Sequence, residues 1–192
     1  MPPKAKFTAD EIVQTALSIV RHDGIQSLTA RAIASKLGSS ARPVFTVFQS
    51  MEQVQAEVIG AAKKIYAEYI NRGLECIPAF KGVGMQYIVF AKEEPNLFQL
   101  LFMSETQMMD AACFFPEIDD NYEAILASVR EPYALSWEEA RVLYMHMGIY
   151  AHGIASLLAR KVCFFSLDDV SRMLTEVFES LLKERKRCRY ND

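Results

Sequence analysis

The stretch T29-ARAIASKLGSSARPVFTV-F48 decides how the chain reads. Ala30, Ile33, Ala34 and Leu37 recur at three- and four-residue steps, which gives a short helix one small apolar face. Gly38 ends that helix, because glycine takes a left-handed conformation at no steric cost. Ser40 is placed to cap a second helix, and Pro43 falls in its first turn, where a missing N–H does little harm. Val44, Val47 and Phe48 supply the inward face, and Phe45 with Phe48 reads as core. Two short helices joined by a glycine-containing turn form a helix-turn-helix, a motif that lays its second helix in a DNA major groove.

Two such helices bury too little apolar surface to stand alone. The segment before them, Thr8 to Asp23, supplies a third. Thr8 and Glu11 form a capping-box pattern, Ile12, Val13, Ala16, Leu17, Ile19 and Val20 make an apolar stripe, and Gly24 stops the helix. The expectation is an all-α protein: a three-helix, helix-turn-helix DNA-binding domain in residues 1–50, followed by a helical ligand-binding and dimerisation domain in residues 51–192.

The run from Phe7 to Ile59 resembles the DNA-binding domain of the tetracycline-repressor (TetR) family. The resemblance rests on Ala16-Leu17, Asp23-Gly24, the run T-A-R-A-I-A at 29–34, Leu37-Gly38 and the closing aromatics Phe45 and Phe48. It covers roughly a quarter of the chain. The S-A-R-P-V-F segment is similar to small one-component regulators of Gram-positive bacteria. What the resemblance implies is a homodimeric transcription regulator, commonly a repressor, that binds a near-palindromic operator and is released by a small ligand. Two positions depart from the family pattern: Phe45 stands where a Tyr is usual, and Met51 where a Lys is usual. Both usual residues touch phosphates, so the resemblance implies weaker operator binding with a flatter salt dependence.

Charge is divided along the chain in a way that suits one DNA-facing end. Residues 1–50 hold six basic against three acidic side chains, a net of +3, which leaves −6 for the remainder of a chain whose total is −3. No apolar run approaches the ~20 residues that span a bilayer, and the N-terminus has no apolar signal segment. Both point to a soluble, cytoplasmic protein with no membrane partner. Cys76, Cys113, Cys163 and Cys188 are widely spaced and read as reduced thiols.

For double-stranded DNA, the candidate contacts are Ser39, Ser40, Ala41, Arg42, Pro43 and Thr46 on the second helix of the motif. Arg42 is its one long donor, able to bond guanine O6/N7 or a phosphate. Thr29 can present its hydroxyl and backbone N–H to a phosphate, and Lys4 and Lys6 read as a flexible basic arm.

Beyond residue 50 the periodicity predicts a long helix over 51–74, then helices over 81–92, after Asn96, over 119–130, from Ser136 to about Lys161 and from Ser166 onward. Asn96 is placed as a cap, Pro132 as a terminator, and Ser136 and Ser166 each open a capping box. Residues 103–117 lose clean periodicity and read as a loop or broken helix at a pocket mouth. The small residues Gly148, Ala151, Gly153 and Ala155 allow close approach of another helix. The last two helices resemble the family's dimer interface, which implies a homodimer through them.

The second domain is rich in Met and aromatics, which suits a soft apolar pocket for a small effector. Candidate lining residues are Tyr66, Tyr69, Tyr87, Phe90, Phe102 and Met103, with Tyr122 and Met145; Gln86, His146 and His152 could orient a ligand. His146 and His152 are six residues apart and no E-x-x-H is present, so the sequence offers no metal site. It also offers no hydrolase, phosphate-loop or dinucleotide motif, hence no cofactor and no enzyme reading. Two alternatives stay open: a helical protein-interaction module that has lost DNA binding, and a small all-helical enzyme.

Overall fold

The computed structural model of the chain describes residues 6–104 and 120–189, with side chains to 185. Lys4, the side chain of Cys188 and most of the 103–117 stretch, with Met108, Cys113 and Phe115, lie outside the described residues. The described residues are all-helical, with no strand. Among the described residues the helices are α1 (Ala9–Asp23), α2 (Ala30–Lys36), α3 (Val44–Val47), α4 (Met51–Leu74), α5 (Ala79–Glu93), α6 (Pro95–Phe102), α7 (Tyr122–Tyr133), α8 (Trp137–Ala159) and α9 (Leu167–Arg189); a 3-10 turn, Ile25–Ser27, follows α1.

The chain divides into two compact units, residues 1–65 with 94–105 and residues 66–93 with 106–192. The first unit is thus larger than the 1–50 segment expected, and the division falls within α4. Its added parts bring apolar surface that three short helices lack: Val54 and Val58 of α4, and Leu97 and Phe98 of α6, are fully buried.

In this first unit α1 opens with the expected capping box. The Thr8 N–H donates to Glu11 Oε2 at 2.8 Å and the Glu11 N–H donates to Thr8 Oγ1 at 3.1 Å. Ile12, Ala16 and Val20 are fully buried, and α1 packs against α2 and α6. Pro95 occupies the first turn of α6, as its fixed φ suits. Asn96 does not cap α6. Its Nδ2 donates instead to the carbonyls of Arg21 and His22, at 3.0 and 3.1 Å, and so satisfies the C-terminal end of α1. Beside it Glu94, only 5% exposed, forms a two-point ion pair with the Arg21 guanidinium, with Nε to Oε2 at 2.6 Å and Nη2 to Oε1.

The second unit is built on α5, which packs against α7, α8 and α9. Two glycines bring α4 and α5 into backbone contact. A Cβ on Gly73 would lie 2.7 Å from Val83 Cα, and one on Gly82 would meet the Gly73 carbonyl oxygen and, at 2.5 Å, Cys76 Cβ. Pro132 does not end α7 but sits in its last turn, and Ala134 in the left-handed region closes the helix. α8 and α9 begin at Ser136 and Ser166 as expected, each serine hydroxyl accepting from the N–H three residues on. Of the α9 stripe expected to face a second copy, Val170, Leu174 and Leu182 are buried, and Met173, Val177, Phe178 and Leu181 are half-buried. α8 is, by length and composition, long and apolar enough to cross a membrane. It packs against α5, α7 and α9.

Candidate nucleic-acid interface and ligand cavity

The α2–α3 connection is held by a Schellman turn. Gly38 sits at φ 61°, its N–H donates to Ser35 O at 3.2 Å, and the Ser39 N–H donates to Ala34 O at 2.9 Å. Thr29 caps α2 by accepting from the Ala32 N–H at 3.1 Å. Lys6 Nζ donates to Ser39 Oγ at 3.3 Å, so the one described residue of the expected basic arm lies against this turn.

α3 is shorter than the sequence suggests. Ser40 does not cap it. Ala41 to Pro43 form a turn, with the Val44 N–H on Ala41 O at 3.1 Å, and Pro43 takes the N-cap position without a side-chain acceptor. The Thr46 N–H also reaches Arg42 O at 3.2 Å, so residues 42–46 close one helical turn. Its inward side is Val44, with Phe48 just beyond; they are 1% and 8% exposed. Its outward side carries Arg42, Phe45 and Thr46, all exposed. Phe45 is therefore not core: at 50% exposed it stands in the open between Arg42 and Thr46. The sequence placed Phe45 inside because an aromatic beside a buried Phe48 fits a core pattern. The helical phase settles the matter, since Val44 takes the inward position next to it.

Ser40, Arg42 and, on α3, Thr46 are exposed and Ser39, Ala41 and Pro43 half-buried along this connection, while Thr29 is exposed at the far end of α2. Arg31 and Lys36 are exposed on α2, where Lys36 Nζ donates to Ser18 Oγ at 2.8 Å. Arg42 forms no ion pair among the described residues.

The second unit carries a cavity of ≈ 980 Å³ that is partly open to solvent. Its wall is made by the end of α4, the start of α5, the middle of α8, one face of α7 and the inward face of α9. Space arises because facing positions carry small side chains: Gly84 on α5, Ala124, Ala127 and Ser128 on α7, and Gly148 and Ala151 on α8. Phe80, Tyr144 and Phe178 line it as a contiguous aromatic group, with Phe80 5.7 Å from Phe178 and Tyr133 5.2 Å from Phe178 between ring centroids. Glu131, Glu179 and Lys81 are the charged groups in the lining.

No protein-family model matches the chain, and no curated protein matches it.

Of the lining residues expected from sequence, Tyr66 and Tyr87 are in this wall. Tyr69 and Phe90 are buried beside them in the core: their rings meet at 5.2 Å, and the Tyr69 hydroxyl donates to Glu93 Oε2 at 2.8 Å. Phe102 and Met103 belong to the first unit. Gln86, Tyr122, Met145 and His146 are outside the cavity wall; Tyr122 packs on Tyr144 at 5.6 Å, and His146 is exposed. Burial raises the Tyr122 phenol above its ordinary range, with Arg141 opposing. His152 lies one step behind the wall, with its Nδ1 2.8 Å from the Tyr87 hydroxyl, and burial lowers its pKa below the ordinary 6.5. A neutral ring that accepts from Tyr87 through Nδ1 carries its proton on Nε2.

Sequence reasoning missed Phe80, Tyr133, Tyr144 and Phe178. The available signal was the small residues: Gly148 and Ala151 on α8, which the sequence reading takes as room for another helix, and Ala124, Ala127 and Ser128 on α7, which it does not single out.

Proposed function

We propose that the chain is a TetR-like transcription regulator that binds a near-palindromic DNA operator as a homodimer and takes a small, largely apolar effector in the cavity of its second unit. The observation that carries the reading is the α3 face, where an exposed Arg42, with no ion pair among the described residues, stands beside Thr46 after a glycine-closed turn. The exposed Lys6, Arg31 and Lys36 nearby in the same unit supply the phosphate-directed charge such docking uses. Support for an effector is the cavity's size and its aromatic and aliphatic wall. Support for pairing is α8, where Ile149, Gly153 and Leu157 lie on one exposed face, followed by the exposed Val162, Phe164 and Leu167. The pairing surface in this reading is the α8 face and the α8–α9 connection, together with the half-buried Met173, Val177 and Leu181 of the α9 stripe.

The test is fluorescence anisotropy with duplex DNA from the flanks of the chain's own coding region, titrated at several salt concentrations. The expected result is saturable binding that weakens with salt and that Arg42→Ala weakens by about 1–3 kcal/mol. No binding at ~50 mM salt would sink the DNA reading and favour a protein-interaction module.

A further inference from the structure

We propose that Phe45 is a specificity-determining residue that reads a thymine through its 5-methyl group, within two base pairs of the base contacted by Arg42. The inference rests on the DNA-binding reading above. Phe45 is half exposed on a helical turn where Val44 and the following Phe48 are buried and Val47 is half-buried. The hydrogen bond from the Thr46 N–H to Arg42 O fixes the turn, so Arg42, Phe45 and Thr46 (i, i+3, i+4) share one outward face. That face holds a cation, a phenyl ring and a hydroxyl, and they divide the work by chemistry.

A guanidinium or a hydroxyl bonds phosphate or a base edge. A phenyl ring has neither donor nor acceptor, so it contributes nothing to phosphate contact through hydrogen bonding. In the major groove the bases present hydrogen-bonding groups throughout, and the one methyl group on any base edge there is that of thymine. A phenyl ring carried into the groove on this face removes apolar surface from water only against that methyl group or the sugars. Rise along a helix is about 1.5 Å per residue, so Arg42 and Phe45 are offset by about 4.5 Å, between one and two steps of about 3.4 Å along a DNA strand. The guanine that Arg42 is suited to bond and the thymine that Phe45 is suited to touch therefore lie one or two base pairs apart.

The experiment starts from a random-sequence duplex library selected with the full chain. Each thymine of the enriched site is then replaced singly by deoxyuridine, which removes the methyl group and leaves base pairing unchanged. Affinities are measured by anisotropy for the unaltered chain, Phe45→Ala and Phe45→Leu, with circular dichroism confirming that each variant is folded. The expected result is one thymine per half-site at which loss of the methyl group weakens binding about three- to five-fold. Phe45→Ala should reduce that penalty to less than about two-fold, and Phe45→Leu should retain most of it. A site bound equally well with every thymine demethylated overturns the proposal, and points to sugar contact. So does a methyl penalty that survives in Phe45→Ala. Failure to enrich any sequence overturns the DNA reading itself, and this inference with it; enrichment of a methyl-blind site removes this inference alone.

Discussion

Replacing Gly82 by alanine adds one methyl group where two helix backbones touch. The new Cβ would lie 2.5 Å from Cys76 Cβ and nearer still to the Gly73 carbonyl oxygen, whereas carbon atoms pack at roughly 3.5–4.0 Å. Neither obstacle is the far end of a flexible side chain, so α4 and α5 must part by about 1 Å. Overpacking of this kind costs about 1–3 kcal/mol, and a rigid backbone contact belongs at the upper end. Alanine returns about 1 kcal/mol through its better helix propensity. The net expectation is a loss of about 2 kcal/mol. Gly60 provides the control. It is exposed within α4 and a Cβ there meets nothing within 4 Å, so Gly60→Ala should gain about 0.5–1 kcal/mol. One chemical change thus acts with opposite signs at two sites. Urea unfolding followed by far-UV circular dichroism measures both, with the slope checked for constancy before midpoints are compared. A Gly82→Ala protein as stable as the unaltered chain, or more so, would refute the close-contact reasoning.

Three further outcomes are expected. Arg21→Ala strands the nearly buried Glu94 carboxylate and should cost about 1–3 kcal/mol in urea unfolding, less than a fully buried pair because the Arg21 side chain is half exposed; Glu94→Gln should cost less, and the reverse order would count against the pairing argument. Because burial lowers the His152 pKa, the folded chain resists its protonation, so stability is whole above the ordinary 6.5, declines as pH falls below it and levels off past the folded-state value. His152→Gln should flatten that decline in a series of melts below pH 6.5, and an unchanged slope would assign it to other groups. Gly153→Leu, placed where no atom lies within 4 Å of a new Cβ, should leave unfolding of the single chain nearly unaffected or improved but weaken self-association several-fold in sedimentation equilibrium; unaltered association would remove the α8 face from the proposed pairing surface.

Most of the helical plan was legible because local signals carry it. Thr8 with Glu11 and Ser136 with Glu139 mark helix starts through bonds made within four residues, so no distant contact is needed to read them. The misreadings share a cause: each turned on where a neighbour in space would be. Asn96 resembles a cap, yet its amide serves the end of α1, some seventy-five residues earlier in the chain. Phe45 resembles core until the turn at Ala41–Pro43 fixes the phase that sends Val44 inward.

The cavity was the least legible feature, for a further physical reason. A list of large apolar residues points to volume that is filled, whereas a cavity is volume that facing side chains fail to fill. The informative residues at such a site are therefore the small ones. Ala124, Ala127 and Ser128 share one face of α7 by their three- and four-residue steps, and Gly148 and Ala151 share one face of α8. Gly84, whose Cβ would approach Leu174 Cδ1 to 3.4 Å, does the same from α5. Three helices that each present a small-residue patch toward one another either collapse into close contact or leave space, and the aromatic group Phe80, Tyr144 and Phe178 decides between these outcomes by acting as a set of rigid props. Large rings pack against each other at the cavity edge and hold the helices apart where the small residues would otherwise let them meet. On this account the size of the cavity depends on the rings that prop it more than on the residues that face its centre, and Glu131, Glu179 and Lys81 are the charged groups placed at its wall.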